Sequence, residues 1–232
     1  MGGDAVRLLG AVLAGGASTR LGPDKALIAL PTPAGPRPMA AVAAALLREA
    51  GAGRVVVVTP RPAPLSGLAD GVVLDLYPGR GPLGGIHAAL SAARGAWCLV
   101  LACDMPLAGS GFLAAMADRV RAAGAGAAGA DPGFDALVPR TAAGLEPLCA
   151  LYGPACLDAA RRALAAPGRV PAATALLGAV RTAFVEGAEI ARWGDPRVLF
   201  FNVNDAQDLG RARAILGAVQ EDRNPQVRRA AR

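Results

Sequence analysis

Three short runs, "RLLGAVLAG" (7–15), "RVVVVT" (54–59) and "AWCLVLACD" (96–104), are apolar at nearly every position and show no alternation. A strand with one face in water alternates apolar and polar side chains, so runs like these belong to strands buried on both faces. Between them lie alanine-rich stretches of helical period. "PMAAVAAALLREAG" (38–51) is stopped by Gly51, "GPLGGIHAALSAARG" (81–95) opens as a loop, and "GFLAAMADRVRAAG" (111–124) follows. Strands that alternate with helices predict an α/β chain, with a mostly parallel sheet between two helical layers. Aromatics make up only 4% of residues, so the core is expected to be packed from Val, Leu and Ala.

The rest of the chain continues this order. "GVVLDL" (71–76), "FDALVP" (134–139) and "PLCALY" (147–152) read as further strands, and "GAGAAGADPG" (124–133) as a loop. A helical "PACLDAARRALAAPG" (154–168) is followed by the apolar runs "AVRTAFVE" and "RVLFFNVN" (197–204). A last helix is expected over 205–219 with Asp205 as its N-cap. The expectation is one domain over 1–219 and a disordered tail over 220–232.

Composition excludes several function classes. Apolar runs are too short to span a bilayer, and the N-terminus lacks the basic segment and cleavage site of a signal peptide. Cys98, Cys103, Cys149 and Cys156 form no CxxC pair and read as reduced core thiols, so the expected location is cytoplasmic. The net charge is +6, but the arginines are scattered and no aromatic-studded basic stripe marks a nucleic-acid surface. A positive balance also suits anionic, phosphate-bearing substrates.

Of 24 basic residues one, Lys25, is lysine. It ends "LAGGASTRLGPDK" (13–25), where an apolar strand stops at Gly15 and Gly16. Residues without Cβ let backbone N–H groups approach an anion or a base edge closely. Arg20 and Lys25 would then neutralise a polyphosphate, the ammonium serving as a compact point charge on a flexible stem. A plain strand-to-helix turn with solvated basic residues is the competing reading. The pattern is not a Walker A loop, because GxxxxGK[ST] fits nowhere in it.

Asp104 ends the run "LACDMPL" (101–107), which puts its carboxylate at the carboxyl edge of the sheet, where open α/β sheets bind ligands. An acid there that faces a phosphate loop suits Mg²⁺, which takes one or two carboxylates plus phosphate oxygens and water. A helix N-cap is the alternative. "GRGPLG" (79–84) matches GxGxxG, with Asp104 about twenty residues beyond it as in dinucleotide-binding folds, but Pro82 and the late position fit poorly. His87, the single histidine, reads as a helix residue rather than a base.

"LAGGASTRLGPDKAL", "GPLGGIHAAL", "ACDMPL", "EPLCALY" and "FFNVNDAQDL" resemble, in order, the motifs of the MobA-like nucleotidyltransferases, over about residues 9–216. "PLCALY" with "FNVND" is similar to the molybdenum cofactor guanylyltransferase branch. The resemblance implies a three-layer α/β/α sandwich, a Rossmann-like fold with a mostly parallel sheet. It implies transfer of GMP from GTP to the terminal phosphate of molybdenum-molybdopterin, with Mg²⁺ as cofactor and pyrophosphate as the leaving product. A cytidylyltransferase, or a relative with another phosphorylated acceptor, is the alternative, and a non-catalytic dinucleotide-binding module a more distant one. The implied partners beyond the substrates are transient contacts with cofactor-biosynthesis and target proteins. By motif, Leu13, Ala14 and Gly15 would hold the guanine and ribose, Asp75 would help hold the nucleotide, and Lys25 the triphosphate. Asp104 would bind Mg²⁺, and Asn202 and Asn204 would line the pterin or a second metal side. One departure bears on the base. Many members carry a nucleotide-contacting asparagine after the second strand, where this chain has Val58-Thr59-Pro60.

Overall fold

A computed structural model describes residues 7–15, 21, 25–124 and 131–223. In chain order the elements are β1 (Leu8–Leu13), β2 (Ala29–Leu30), β3 (Arg37–Pro38), α1 (Met39–Glu49), β4 (Arg54–Thr59), β5 (Val72–Leu74), α2 (Pro82–Ala93), β6 (Trp97–Ala102) and α3 (Ser110–Gly124). Then come β7 (Ala136–Thr141), β8 (Gly144–Leu145), β9 (Cys149–Tyr152), α4 (Cys156–Ala165), β10 (Thr182–Glu186), α5 (Gly187–Ile190), α6 (Pro196–Leu199) and α7 (Ala206–Arg223).

The main sheet has the order β10-β7-β9-β6-β1-β4-β5, with β8 paired to β7. β1 pairs parallel with both β4 and β6, β4 with β5, and β7 with β10. β9 alone on this path runs against its neighbours β6 and β7. The sheet is therefore mostly parallel, as the apolar runs predict. The three runs become β1, β4 and β6, side by side at the centre, where both faces are covered. Leu8, Val12, Val55, Val57, Leu99 and Leu101 pack on one face against α1 and α3. Leu9, Ala11, Val56, Val58, Cys98 and Val100 pack on the other against α2 and α4. Period-two alternation thus survives in these strands as a choice between two apolar layers rather than between core and water.

A third cluster holds the beginning and the end of the chain's described part together. Leu30 of β2 and Met39 of α1 pack with Val203 and with Ala212 of α7, and the Arg213 guanidinium donates to the Ala29 carbonyl at 2.9 Å.

One expectation changes, and the apolar run 197–204 takes a definite form. It begins in a short helix that starts at Pro196, because Asp195 accepts the Arg197 N–H at 2.9 Å and Pro196 stands in the first turn. The last helix reaches Arg223, past residue 219, because no Gly or Pro interrupts the sequence between Gly217 and Pro225. Asp205 does cap it, accepting the Asp208 N–H at 2.9 Å. The expected tail from 224 onward and most of the 124–133 loop lie outside the described residues. The four cysteines are free and buried. No helix among the described residues is long and apolar enough to cross a membrane.

Candidate functional site

Strand order reverses around β1: the chain goes from β1 to β4 and β5 on one side, then returns to β6 on the other. A crevice opens at the carboxyl ends of the strands at such a point. Here it is a cavity of about 730 Å³. Backbone hydrogen bonds continue beyond the strand ends and fix the spacing of its floor. Cys103 donates to the Leu13 carbonyl at 3.0 Å, Ala14 to Val58 at 2.8 Å, and Asp75 to Thr59 at 3.1 Å. The residues that follow β6, β1, β4 and β5 therefore stand in a row on rigid supports, which holds a ligand at less entropic cost than loops do.

Lys25 and Asp104 meet in this cavity. The Lys25 ammonium donates to Asp104 Oδ2 at 2.7 Å and to Asn204 Oδ1 at 3.2 Å. The side chains of Lys25 and Asp104 are 11% and 24% exposed, which is deep for a charge but still open to ligand. Each member is held by a separate device. Lys25 begins a 3-10 turn whose next residue, Ala26, is buried, and the turn leads into the β2–β3 hairpin. Asp104 follows β6, and its carbonyl accepts the Val203 N–H at 2.9 Å. Asn204 stands just before the α7 cap, its N–H donating to Asp208 Oδ2 at 2.9 Å. Asp104 is thus no helix N-cap.

Leu13, Ala14, Gly15 and Asp75 line the same cavity. Asp75 lies against the first turn of α2, where the positive end of the helix favours a carboxylate. Its Oδ1 accepts the Tyr77 N–H at 2.9 Å. Close approach depends on Gly84: a Cβ there would stand 2.9 Å from Asp75 Oδ1 and 3.1 Å from the Tyr77 carbonyl oxygen. Gly84→Ala is expected to lower stability by about 1–2 kcal/mol, despite the higher helix propensity of alanine, because overpacking outweighs propensity. Thermal melts that show no loss would remove this contact from the account.

"GRGPLG" contributes Gly79 to the same cavity as Lys25 and Asp104. Gly81 takes φ +69° as the N-cap of α2, Pro82 follows, and both line the Lys25–Asp104 cavity. The preceding β5 is an edge strand, unlike the central strand of a dinucleotide fold.

Some expected members stand apart. Asn202 does not line the cavity, and its amide donates to the Phe200 carbonyl at 3.1 Å. Gly16 and Arg20 lie outside the described residues. His87 is buried in α2 with its ring edge-on to Tyr77, centroids 5.0 Å apart. Burial holds its pKa below the ordinary value, against the pull of Asp75. Cys103 lines the cavity, but burial pushes its thiol up to about 12, so it is no thiolate nucleophile. One lining residue, Arg61, two positions after β4, is absent from the sequence-based expectations. A basic residue just past a parallel strand's carboxyl end was the available signal.

A divalent cation is compatible with this donor set. Among the described residues no group of three metal-ligating side chains occurs, and the site offers the Asp104 carboxylate beside an ammonium that a phosphate can draw away. That suits Mg²⁺ carried in with a polyphosphate, not a cation caged by protein alone.

The MobA-like NTP transferase domain family matches residues 10–182. A probable molybdenum cofactor guanylyltransferase from Pelotomaculum thermopropionicum is 35% identical over 208 residues, covering 89% of this chain and 92% of that protein. A probable molybdenum cofactor guanylyltransferase from Opitutus terrae is 40% identical over 167 residues, covering 71% of this chain and 75% of its own. Among solved structures, molybdopterin-guanine dinucleotide biosynthesis protein A from Archaeoglobus fulgidus superposes with a TM-score of 0.70 at 26% identity, over 90% of this chain and 99% of that one. The 2-C-methyl-D-erythritol 4-phosphate cytidylyltransferase from Thermus thermophilus, at 19% identity and a TM-score of 0.59, covers 88% of this chain and 96% of its own, and shares the fold.

Proposed function

The chain belongs to the MobA-like NTP transferase family, and from that premise we propose that it transfers GMP from GTP to the terminal phosphate of molybdenum-molybdopterin. The relatives' shared name gives the acceptor and the base. The observation that carries the reading to this chain is that Lys25 and Asp104 face one cavity at the carboxyl edge of the sheet. A non-catalytic dinucleotide module has no need of that pair.

The chemistry asks little of the protein's own nucleophiles. An oxygen of the acceptor phosphate attacks the α-phosphorus of GTP, the bond between the α- and β-phosphates breaks, and pyrophosphate leaves with the electron pair. Positioning and charge stabilisation supply the rate. Lys25 turns from Asp104 to the triphosphate, and its stem allows that movement without displacing the buried turn behind it. Mg²⁺, bound through Asp104 and the phosphates, would supply further charge at the transferred group. Leu13, Ala14 and Gly15 carry the nucleoside along the end of β1, and Asp75 holds it from the end of β5; Gly16 and Arg20, outside the described residues, are assigned to the nucleotide by their place in the motif alone. Asn204 fixes the resting position of the ammonium. The acceptor enters on the side of Asn204.

Purified protein with molybdopterin substrate and Mg²⁺ is expected to release pyrophosphate from GTP in preference to CTP and ATP. Preference for CTP would move the chain to a cytidylyltransferase. Dependence of the release on added Mg²⁺, abolished by chelation, checks the cofactor separately.

A further inference from the structure

The row of strand ends fixes where the parts of a nucleotide can lie. Asp104 follows β6 and Asp75 follows β5, three strand steps away across β1 and β4. At the usual strand spacing that is about 14 Å. With the phosphates at the Lys25–Asp104 end, the base lies over the ends of β4 and β5.

Most of the β4 wall has nothing to offer a base edge. Val58 is an apolar core residue and Leu65 is apolar and buried. Pro60 has no N–H. The Thr59 hydroxyl is engaged by the loop itself, accepting the Arg61 N–H at 3.1 Å. Of the described lining residues, the cationic ones are Lys25 and Arg61: the Lys25 ammonium is held at Asp104, past the end of β6, and Arg61 stands past the end of β4. Arg61 is exposed at the cavity wall, on the strand end next to the Asp75 carboxylate.

We infer that Arg61 is a specificity-determining residue, which donates from its planar fork to O6 and N7 of guanine. The inference rests on the guanylyl reading above. Guanine presents two acceptors on that edge and donors at N1 and N2, so a guanidinium beside a carboxylate matches it. Adenine presents an N6 donor to the guanidinium and has no N1 donor for the carboxylate. Cytosine has a donor amine where guanine has O6 and lacks the N7 acceptor. A lysine cannot reproduce the fork. The two cations therefore have separate roles, the point charge on phosphate and the fork on the base.

The test is equilibrium binding of GTP, 7-deaza-GTP and tripolyphosphate to the wild-type protein, Arg61→Ala and Arg61→Lys. Both variants keep the backbone N–H of position 61 that bonds to Thr59, and circular dichroism melts check that they fold. The expected result is GTP affinity lowered about 10- to 100-fold in Arg61→Ala, only partly restored in Arg61→Lys, with tripolyphosphate changed less than about twofold. Wild-type protein should prefer GTP to 7-deaza-GTP, which lacks the N7 acceptor, and Arg61→Ala should lose that preference. Equal losses for GTP and tripolyphosphate would make Arg61 a phosphate clamp and overturn the inference. So would unchanged GTP affinity in Arg61→Ala. A wild-type protein that binds CTP better than GTP overturns the guanylyl reading itself, a different outcome from either of these.

Discussion

Asp104→Asn is expected to cut turnover by about 10²-fold or more while the protein keeps its fold. The substitution removes a charge at the carboxyl edge but leaves the carbonyl that accepts the Val203 N–H. It also leaves Lys25 its contact with Asn204. The lost ion pair involves partly solvated groups, so the stability cost should be on the order of 1 kcal/mol. Rate and stability thus separate, and steady-state pyrophosphate release beside a melting curve reads both. A folded Asp104→Asn protein with near-normal turnover would take Asp104 out of the reaction.

Lys25→Ala should lower kcat/KM by roughly 10²-fold, about 2–3 kcal/mol of charge-assisted contact with the triphosphate. It has a second, opposite signature. With the ammonium gone from 2.7 Å, Asp104 no longer has a competing cation, so the protein without nucleotide should bind Mn²⁺ or Mg²⁺ more tightly than wild type. Lys25→Arg should recover only part of the rate, because the guanidinium is bulkier and needs fixed partner geometry. Full activity in Lys25→Arg would make the single lysine an accident of composition. Weaker metal binding in Lys25→Ala would contradict the competition between the two cations.

Much of the architecture was legible because burial on both faces leaves a strong mark: β1, β4 and β6 could hardly be anything but central strands. The start of α2 was less legible: the glycines of "GPLGG" read as a loop, yet the helix already begins at Pro82, whose fixed φ suits the first helical position. The direction of β9 is less obvious from periodicity, yet the link from Thr141 to Cys149 is too short for the helical crossover that a parallel neighbour requires. The β2–β3 hairpin, two residues per strand, is too brief to leave a period. For the site, the end of an apolar strand located Asp104, but no sequence spacing reports that Lys25 lies 2.7 Å from it. Asn202 illustrates the limit of counting. Positions 202 and 204 share a face only in an extended strand, and the segment after α6 is irregular, so Asn204 reaches the cavity and Asn202 bonds its own backbone.

The contacts at the Lys25 ammonium also set an order in time. Asp104 is 79 positions and Asn204 179 positions further along the chain. At ribosomal rates the last of the three emerges about 10–40 s after the first. Until then the Asp104 carbonyl lacks the Val203 N–H, and the cluster that seats α7 on the β2–β3 hairpin is open. A nascent chain can form β1, β4 and β6 and still be unable to hold the ammonium in place. If Lys25 holds the triphosphate as proposed, full triphosphate affinity is an attribute of the finished molecule, and a ribosome-stalled chain ending before Val203 should display the central strands without it.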